Sequence, residues 1–241
     1  MSRLINALID EIDFDGEIEK IIVGLKIVGV KIDGKWGLST ISLEEIKDSH
    51  FSIRDSGRLH KKSIRELVDY IFSKNPVEAS IGMATINAKL PLPKDNIIER
   101  NGFDYIKEIA RGKRITMVGH FPRGEPLKEI AEKLWILELR PREGDLPASY
   151  SPVVIPKSDI LIITGATFVN HTIDQLISLA NPSCFIAIVG PTTPISKSLF
   201  NFGIDLLCSS IVVDEKLFLD HILQGASVKQ LKGIKQICLC R

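Results

Sequence analysis

From about residue 113 the chain alternates short, uninterrupted apolar runs with helical segments, and no other feature constrains its fold so tightly. RITMVGHF, KLWILEL, SDILIITG, CFIAIVG, DLLCSSIVV and KQICLCR read as strands. Between them lie PLKEIAEKL, NHTIDQLISLA, a short helix opening at Pro194, and DEKLFLDHIL. Strands that are continuously apolar need cover on both faces, which a parallel sheet with helical crossovers supplies. The expectation is an α/β, Rossmann-like three-layer domain with a mostly parallel sheet. The stretch from Arg140 to Lys157 is longer than an ordinary connection and reads as a functional or lid-forming loop.

The first part of the chain has a different pattern. Leu4, Ile5, Leu8, Ile9 and Ile12 recur at helical spacing. EKIIVGLKIVGVKIDGKWGLSTIS reads as a hairpin with Asp33-Gly34 at its turn. Ser42 with Glu45, and Ser63 with Glu66, have the spacing of capping boxes. Pro76 opens a further helix, and LPLPKDN (90–96) breaks all periodicity. These signals predict a smaller α+β domain over 1–98 and the Rossmann-like domain over 99–241.

With 44% hydrophobic and 25% charged residues the chain has ample material for a core. The net charge of +1 argues against a nucleic-acid partner, which needs a clustered basic surplus. No run is long and apolar enough for a bilayer span, and the acidic amphipathic start lacks the form of a signal peptide, so no membrane partner and a cytoplasmic location are expected. Cys184 and Cys208 read as buried thiols; Cys238 and Cys240 form a C-x-C pair that is either ordinary strand sequence or a two-thiolate metal site. Apolar strands at the sheet edge leave a homodimer open.

In open α/β sheets ligands bind beyond the carboxyl ends of the strands. Those ends read Gly119-His120-Phe121-Pro122, Glu138-Leu139-Arg140-Pro141, Thr164-Gly165-Ala166-Thr167 and Gly190-Pro191-Thr192-Thr193-Pro194. Together with SIGMATINA, the stretch from ILEL to GDLP, and TGATFVNHTIDQLI, these residues resemble a prokaryotic family of unknown biochemistry named for heavy-metal chelation, or chelatase activity. The resemblance runs the length of the chain. It implies a first domain similar to the enolase amino-terminal domain, a Rossmann-like second domain, and metal binding.

SIGMATINAKL (80–90) poses a question of its own, because nothing from Ser80 to Ala88 is charged. On a helix Ser80, Ala84, Asn87 and Ala88 share a small face that admits another backbone closely. The expectation is that this face lies against the strand-end crevice, with the Asn87 amide in the cleft; tight packing with Asn87 capping a neighbour is the alternative.

The first strand-end turn lacks the second glycine of G-x-G-x-x-G, which disfavours the usual mode of NAD binding. Glu138 stands where an acidic residue would bind a ribose diol, so a nucleoside or S-adenosyl ligand stays open, as does a salt bridge to Arg140 or Arg123. His120 and Glu138 form the candidate ionisable or catalytic pair. With Asp145 they could instead hold a divalent metal, and a purely structural His120 is the plain alternative. Thr167 or Asn170, and Thr193 before Pro194, read as helix caps whose amides could attract an anion or simply be capped. Asn87, Thr164, Gly165, Asn170, Gly190 and Thr192 are the ligand-binding candidates. P-loop, zinc-protease and G-x-S-x-G motifs are missing. The function expected is binding, with or without conversion, of a small anionic or metal-chelating metabolite between the domains. Non-catalytic metal chelation and a nucleoside-binding enzyme are the alternatives.

Overall fold

The computed structural model describes residues 2–42 and 52–241. The first region builds a three-stranded antiparallel sheet from β1 (Ile18–Val23), β2 (Ile27–Ile32) and β3 (Lys35–Thr40), in that order. What reads as one hairpin is two, because Gly24-Leu25-Lys26 makes a second turn, closed by Gly24 N–H donating to Ile27 O at 2.9 Å. The Asp33-Gly34 turn is as expected, with both residues at positive φ (48° and 78°). Among the described residues three helices belong to this region: α1 (Arg3–Ile9), α2 (Ile64–Val68) and α3 (Pro76–Lys89). The Ser63–Glu66 capping box opens α2; the expected Ser42–Glu45 box lies outside the described residues.

The small residues of α3 have a definite use, and it is not the strand-end crevice. A Cβ on Gly37 of β3 would stand 2.0 Å from Ala84 O and 2.2 Å from Ala88 N. A Cβ on Gly82 would stand 2.1 Å from Ile71 N. Thus α3 is clasped between β3 and the 3₁₀ turn Asp69–Phe72, backbone against backbone, and its small face lies on its own sheet. Ser80 Oγ reinforces the contact by donating to Thr40 O at 3.0 Å.

The second region carries an eight-stranded sheet in the order β4-β11-β10-β9-β8-β5-β6-β7. Its strands are β4 (Ile97–Ile98), β5 (Arg114–Val118), β6 (Lys133–Glu138), β7 (Leu146–Pro147), β8 (Ile160–Thr164), β9 (Phe185–Val189), β10 (Leu206–Val212) and β11 (Ile234–Cys240). Strands β5 to β10 run parallel, whereas β11 runs antiparallel to β10 and β4. The fold is therefore α/β, with a mostly parallel mixed sheet and a separate small antiparallel sheet. The helices of this region are α4 (Gly102–Ile109), α5 (Ser151–Val154), α6 (Ala166–Val169), α7 (Ile173–Ser178) and α8 (Glu215–Leu223). PLKEIAEKL gives only a 3₁₀ segment, Pro122–Glu129, because Pro126 falls inside it. The stretch from Arg140 to Lys157 is structured, folding into β7, α5 and short 3₁₀ turns.

Both faces of the large sheet are buried, as its apolar strands require. Ile160 and Ile162 face a core with Phe103 and Ile106 of α4, whereas Leu161 and Ile163 face the opposite core with Phe168 of α6. That second core continues through Ile81 and Ala84 of α3 to Val28 and Val30 of β2. The other face of the small sheet packs Trp36 edge-on against Phe218 of α8, with centroids 5.0 Å apart. The two regions thus share cores on both sides of the small sheet. The expected polar cleft between them is closed over this shared core and opens where Thr40 meets the carboxyl ends of the parallel strands.

Candidate functional site

After β5 the chain goes outward to β6 and later returns to β8 on the other side, so the loops leaving β5 and β8 diverge. A crevice at such a switch point is the usual ligand position of an open α/β sheet. Here it is a cavity of about 750 Å³. Its walls bring together His120, Thr164, Gly190 and Thr192 from the expected residues, with Thr40 from the first region and Ser209 and Ser210 of β10.

Gly119 makes the first turn. Its φ of 97° suits glycine, and a Cβ would press the Thr164 side chain at 3.2 Å. His120 follows, fixed at three points. Its backbone N–H donates to Glu138 Oε1 at 2.6 Å; Nδ1 lies 3.3 Å from Asp145 Oδ2, and Nε2 lies 3.0 Å from Glu125 Oε1. The Asp145 side chain is nearly fully buried and also accepts from Arg142 N–H at 3.2 Å. The His120 hydrogen bond holds the Glu125 carboxyl below its ordinary range. Glu138 is turned toward the loop backbone and is not among the residues lining the cavity.

Thr192 joins the two regions. Its hydroxyl accepts from Thr40 N–H at 2.8 Å and shares a second 2.8 Å hydrogen bond with the Thr40 hydroxyl. Its carbonyl accepts from Asn87 Nδ2 at 3.0 Å, and the same amide donates to Leu38 O at 2.9 Å. Asn87 therefore reaches the second region, as a strut for Thr192. It borders a separate cavity of about 40 Å³ with Lys35, Trp36 and Thr193. Burial, with the neighbouring charge of Lys89, pushes the Lys35 ammonium down to about 8.

The expected helix caps fall elsewhere. Gly165 packs under the Thr193 backbone, where a Cβ would stand 2.6 Å from Thr193 N. Asn170 closes a turn with Thr172 through its side-chain oxygen, at 2.7 Å from the Thr172 hydroxyl. The helix expected at Pro194 is a 3₁₀ segment, Lys197–Phe202, capped by Ser196. The helix start that does reach the cavity is that of α4: its cap Asn101 accepts from Phe103 N–H at 2.8 Å, and Asn101, Gly102 and Phe103 line the wall. The reason is topological. Since α4 leads into the amino end of β5, its own amino end lies at the opposite, carboxyl edge.

The charges of the wall come from residues that sequence reasoning did not place among the ligand-binding candidates, Arg123 having been read only as a salt-bridge partner of Glu138. Arg100, Arg123 and Lys229 line the cavity, and among the described residues no carboxylate does. Arg100 is paired with Glu108. Arg123 and Lys229 are exposed and make no ion pair within 4.0 Å among the described residues. Lys229 arrives because β11 runs antiparallel, so the loop that precedes it starts at the carboxyl edge.

The cysteines also differ from expectation. Cys208 and Cys238 are directly opposed on β10 and β11 and form a disulfide, while Cys184 and Cys240 are free. The C-x-C pair is thus divided, one sulfur bonded across the sheet.

With this geometry in place, the relatives are informative. The chain belongs to the DUF364 family, whose description is "Putative heavy-metal chelation" and whose model matches residues 101–239. A second model with the same description, DUF4213, matches residues 5–90. An uncharacterised protein of Methanocaldococcus jannaschii is 26% identical over 181 residues, 71% of this chain and 69% of that protein. A DUF364 protein of unknown function from Desulfitobacterium hafniense superposes with a TM-score of 0.85 at 26% identity, covering 99% of this chain and 98% of that one. A second, from Pyrococcus horikoshii, gives 0.79 at 19% identity, covering 99% and 97%, and shares the fold.

The family description implies a metal, and the side chains can be tested for one. Among the described residues no three His, Cys, Asp or Glu side chains are grouped to hold a metal ion. Both nitrogens of His120 face separate carboxylates, Glu138 faces backbone, and Cys208 and Cys238 are bonded to each other. The described residues do not fit a resident metal ion in this state.

Proposed function

We propose that the protein binds a small anionic metabolite in the cavity at the carboxyl ends of β5, β8, β9 and β10. The observation that carries this reading is the charge of the wall: among the described residues every charged side chain on it is basic. Such a wall repels bare cations and attracts anions, more strongly where water is partly excluded. The amino end of α4 adds unsatisfied N–H groups and a favourable dipole. Thr40, Thr164, Ser209 and Ser210 supply hydroxyls that fix orientation, and Phe121 offers an apolar surface. His120, held by Asp145 and Glu125, supplies a polar ring at the rim. An anionic ligand also accommodates the family description, because a metal would enter as part of an anionic chelate.

Native mass spectrometry of the untagged protein as purified, with metal analysis on the same sample, tests the reading. A retained organic anion in the wild type, diminished in the Arg123→Ala/Lys229→Ala variant, is the expected result. Stoichiometric metal without an organic mass, lost in His120→Ala, would replace it with direct chelation at the His120 cluster.

A further inference from the structure

The disulfide forms part of the cavity wall, and nothing in the anion-binding reading uses it. Cys208 lines the cavity, whereas Cys238 is fully buried. Gly102, the first residue of α4, lies against Cys208 so closely that a Cβ there would stand 2.7 Å from its sulfur. A thiolate released at Cys208 would therefore meet the positive end of the α4 dipole in a basic cavity, the kind of setting that stabilises thiolates. Cys238 Sγ lies 3.4 Å from Arg100 O, an acceptor ready for an S–H at that position. The two sulfurs thus have unlike surroundings: Cys208, 4% exposed, borders the cavity at a place suited to a thiolate, whereas Cys238 is sealed at a place suited to a neutral thiol.

We infer that Cys208–Cys238 is a redox-active disulfide, and that the anionic ligand class is a low-molecular-weight thiol bearing a negatively charged group. This rests on the anion-binding reading of the same cavity. The thiolate attacks Cys208 Sγ; a bond forms between these two sulfurs as the Cys208–Cys238 bond breaks. Cys238 departs with the electron pair and takes up the proton, donating it in a hydrogen bond to Arg100 O. A second thiol then attacks the sulfur of the first and releases the external disulfide, leaving Cys208 as thiolate. Two thiols are oxidised and the protein disulfide is reduced by two electrons. Basic side chains on the wall favour thiols with an anionic group over cationic ones.

Two measurements on the full chain test the inference. First, alkylation in denaturant should modify Cys184 and Cys240 before reduction and all four cysteines after it; four modified beforehand would overturn the disulfide. Second, the native protein is treated with 2-mercaptoethanesulfonate or with cysteamine, at matched thiolate concentration, and freed thiols are trapped and mapped. The anionic thiol should open the disulfide at least tenfold faster, with the transient adduct on Cys208. In Arg123→Ala/Lys229→Ala opening should persist while the preference falls toward one. Equal rates in the wild type, or opening only after unfolding, would overturn the inference. If retained organic anion is nevertheless found by native mass spectrometry, the anion-binding reading survives that failure.

Discussion

The two ends of the large sheet handle charge in opposite ways. At the amino end carboxylates close the loops: Asp159 accepts from Arg114 N–H and from Arg114 Nη2, each at 2.8 Å. Asp205 accepts from Ile186 N–H at 2.9 Å and lies 3.7 Å from Arg241. At the carboxyl end Arg123 and Lys229 face a cavity with no carboxylate on its wall among the described residues. Paired charge at one edge holds strand starts together; at the other edge Arg123 and Lys229, with no ion pair within 4.0 Å among the described residues, are left for a ligand. Even within the carboxyl edge the rule separates residues. The His120 cluster is internally satisfied, and Thr192 is committed to Thr40.

The contrast can be sharpened by substitution, beginning with the frame both edges share. Gly37→Ala should cost about 3 kcal/mol or more in urea unfolding, because backbone atoms of α3 must move to admit the methyl group. A change below about 1 kcal/mol would mean that α3 is not clasped as described. Thr192→Val, at the carboxyl edge but already paired, should cost about 1–3 kcal/mol, since it leaves the Thr40 N–H without its partner.

Asp159→Asn, at the amino edge, should cost about 1–2 kcal/mol at neutral pH, a figure reduced for partial solvent exposure. The hydrogen bonds from Arg114 hold the Asp159 carboxyl down to about 2, against 3.8. A depressed carboxylate stabilises the fold above its unfolded value and loses that contribution as pH falls through its folded value. The difference between wild type and variant should therefore vanish between about pH 4 and 2. A difference that persists at pH 2 would point to packing and not to charge.

Much of the fold was legible because it follows from local rules. Apolar runs predicted the sheet strands, Asp33-Gly34 the turn, and Ser63 with Glu66 the start of α2. Three of the expected ligand residues, Thr164, Gly190 and Thr192, and the catalytic candidate His120 do border one cavity, since strand ends in a parallel sheet converge. The rest depended on non-local relations. Arg123 and Lys229 lie in segments with no period, and their meeting depends on the antiparallel direction of β11. The small face of α3 was misread because spacing shows that a backbone approaches, not which one; Gly37 was the partner signal. The Cys208–Cys238 bond required the register of β10 on β11, which pairs those two positions.

The smallest stability effect belongs to the unpaired cations. Arg123→Ala/Lys229→Ala should change unfolding free energy by no more than about 0.5 kcal/mol, because both side chains are exposed and the only charge contact either has among the described residues is the through-space attraction of Lys229 for Glu125. Anion affinity should fall at least tenfold. The most direct test is thermal unfolding with inorganic pyrophosphate at matched ionic strength, for wild type and for this variant. At about ten times the wild-type Kd, pyrophosphate should raise the wild-type Tm by about 3 °C or more and that of the variant by no more than about 1 °C. An equal rise in both proteins, or none in either, would contradict an anion site at this cavity.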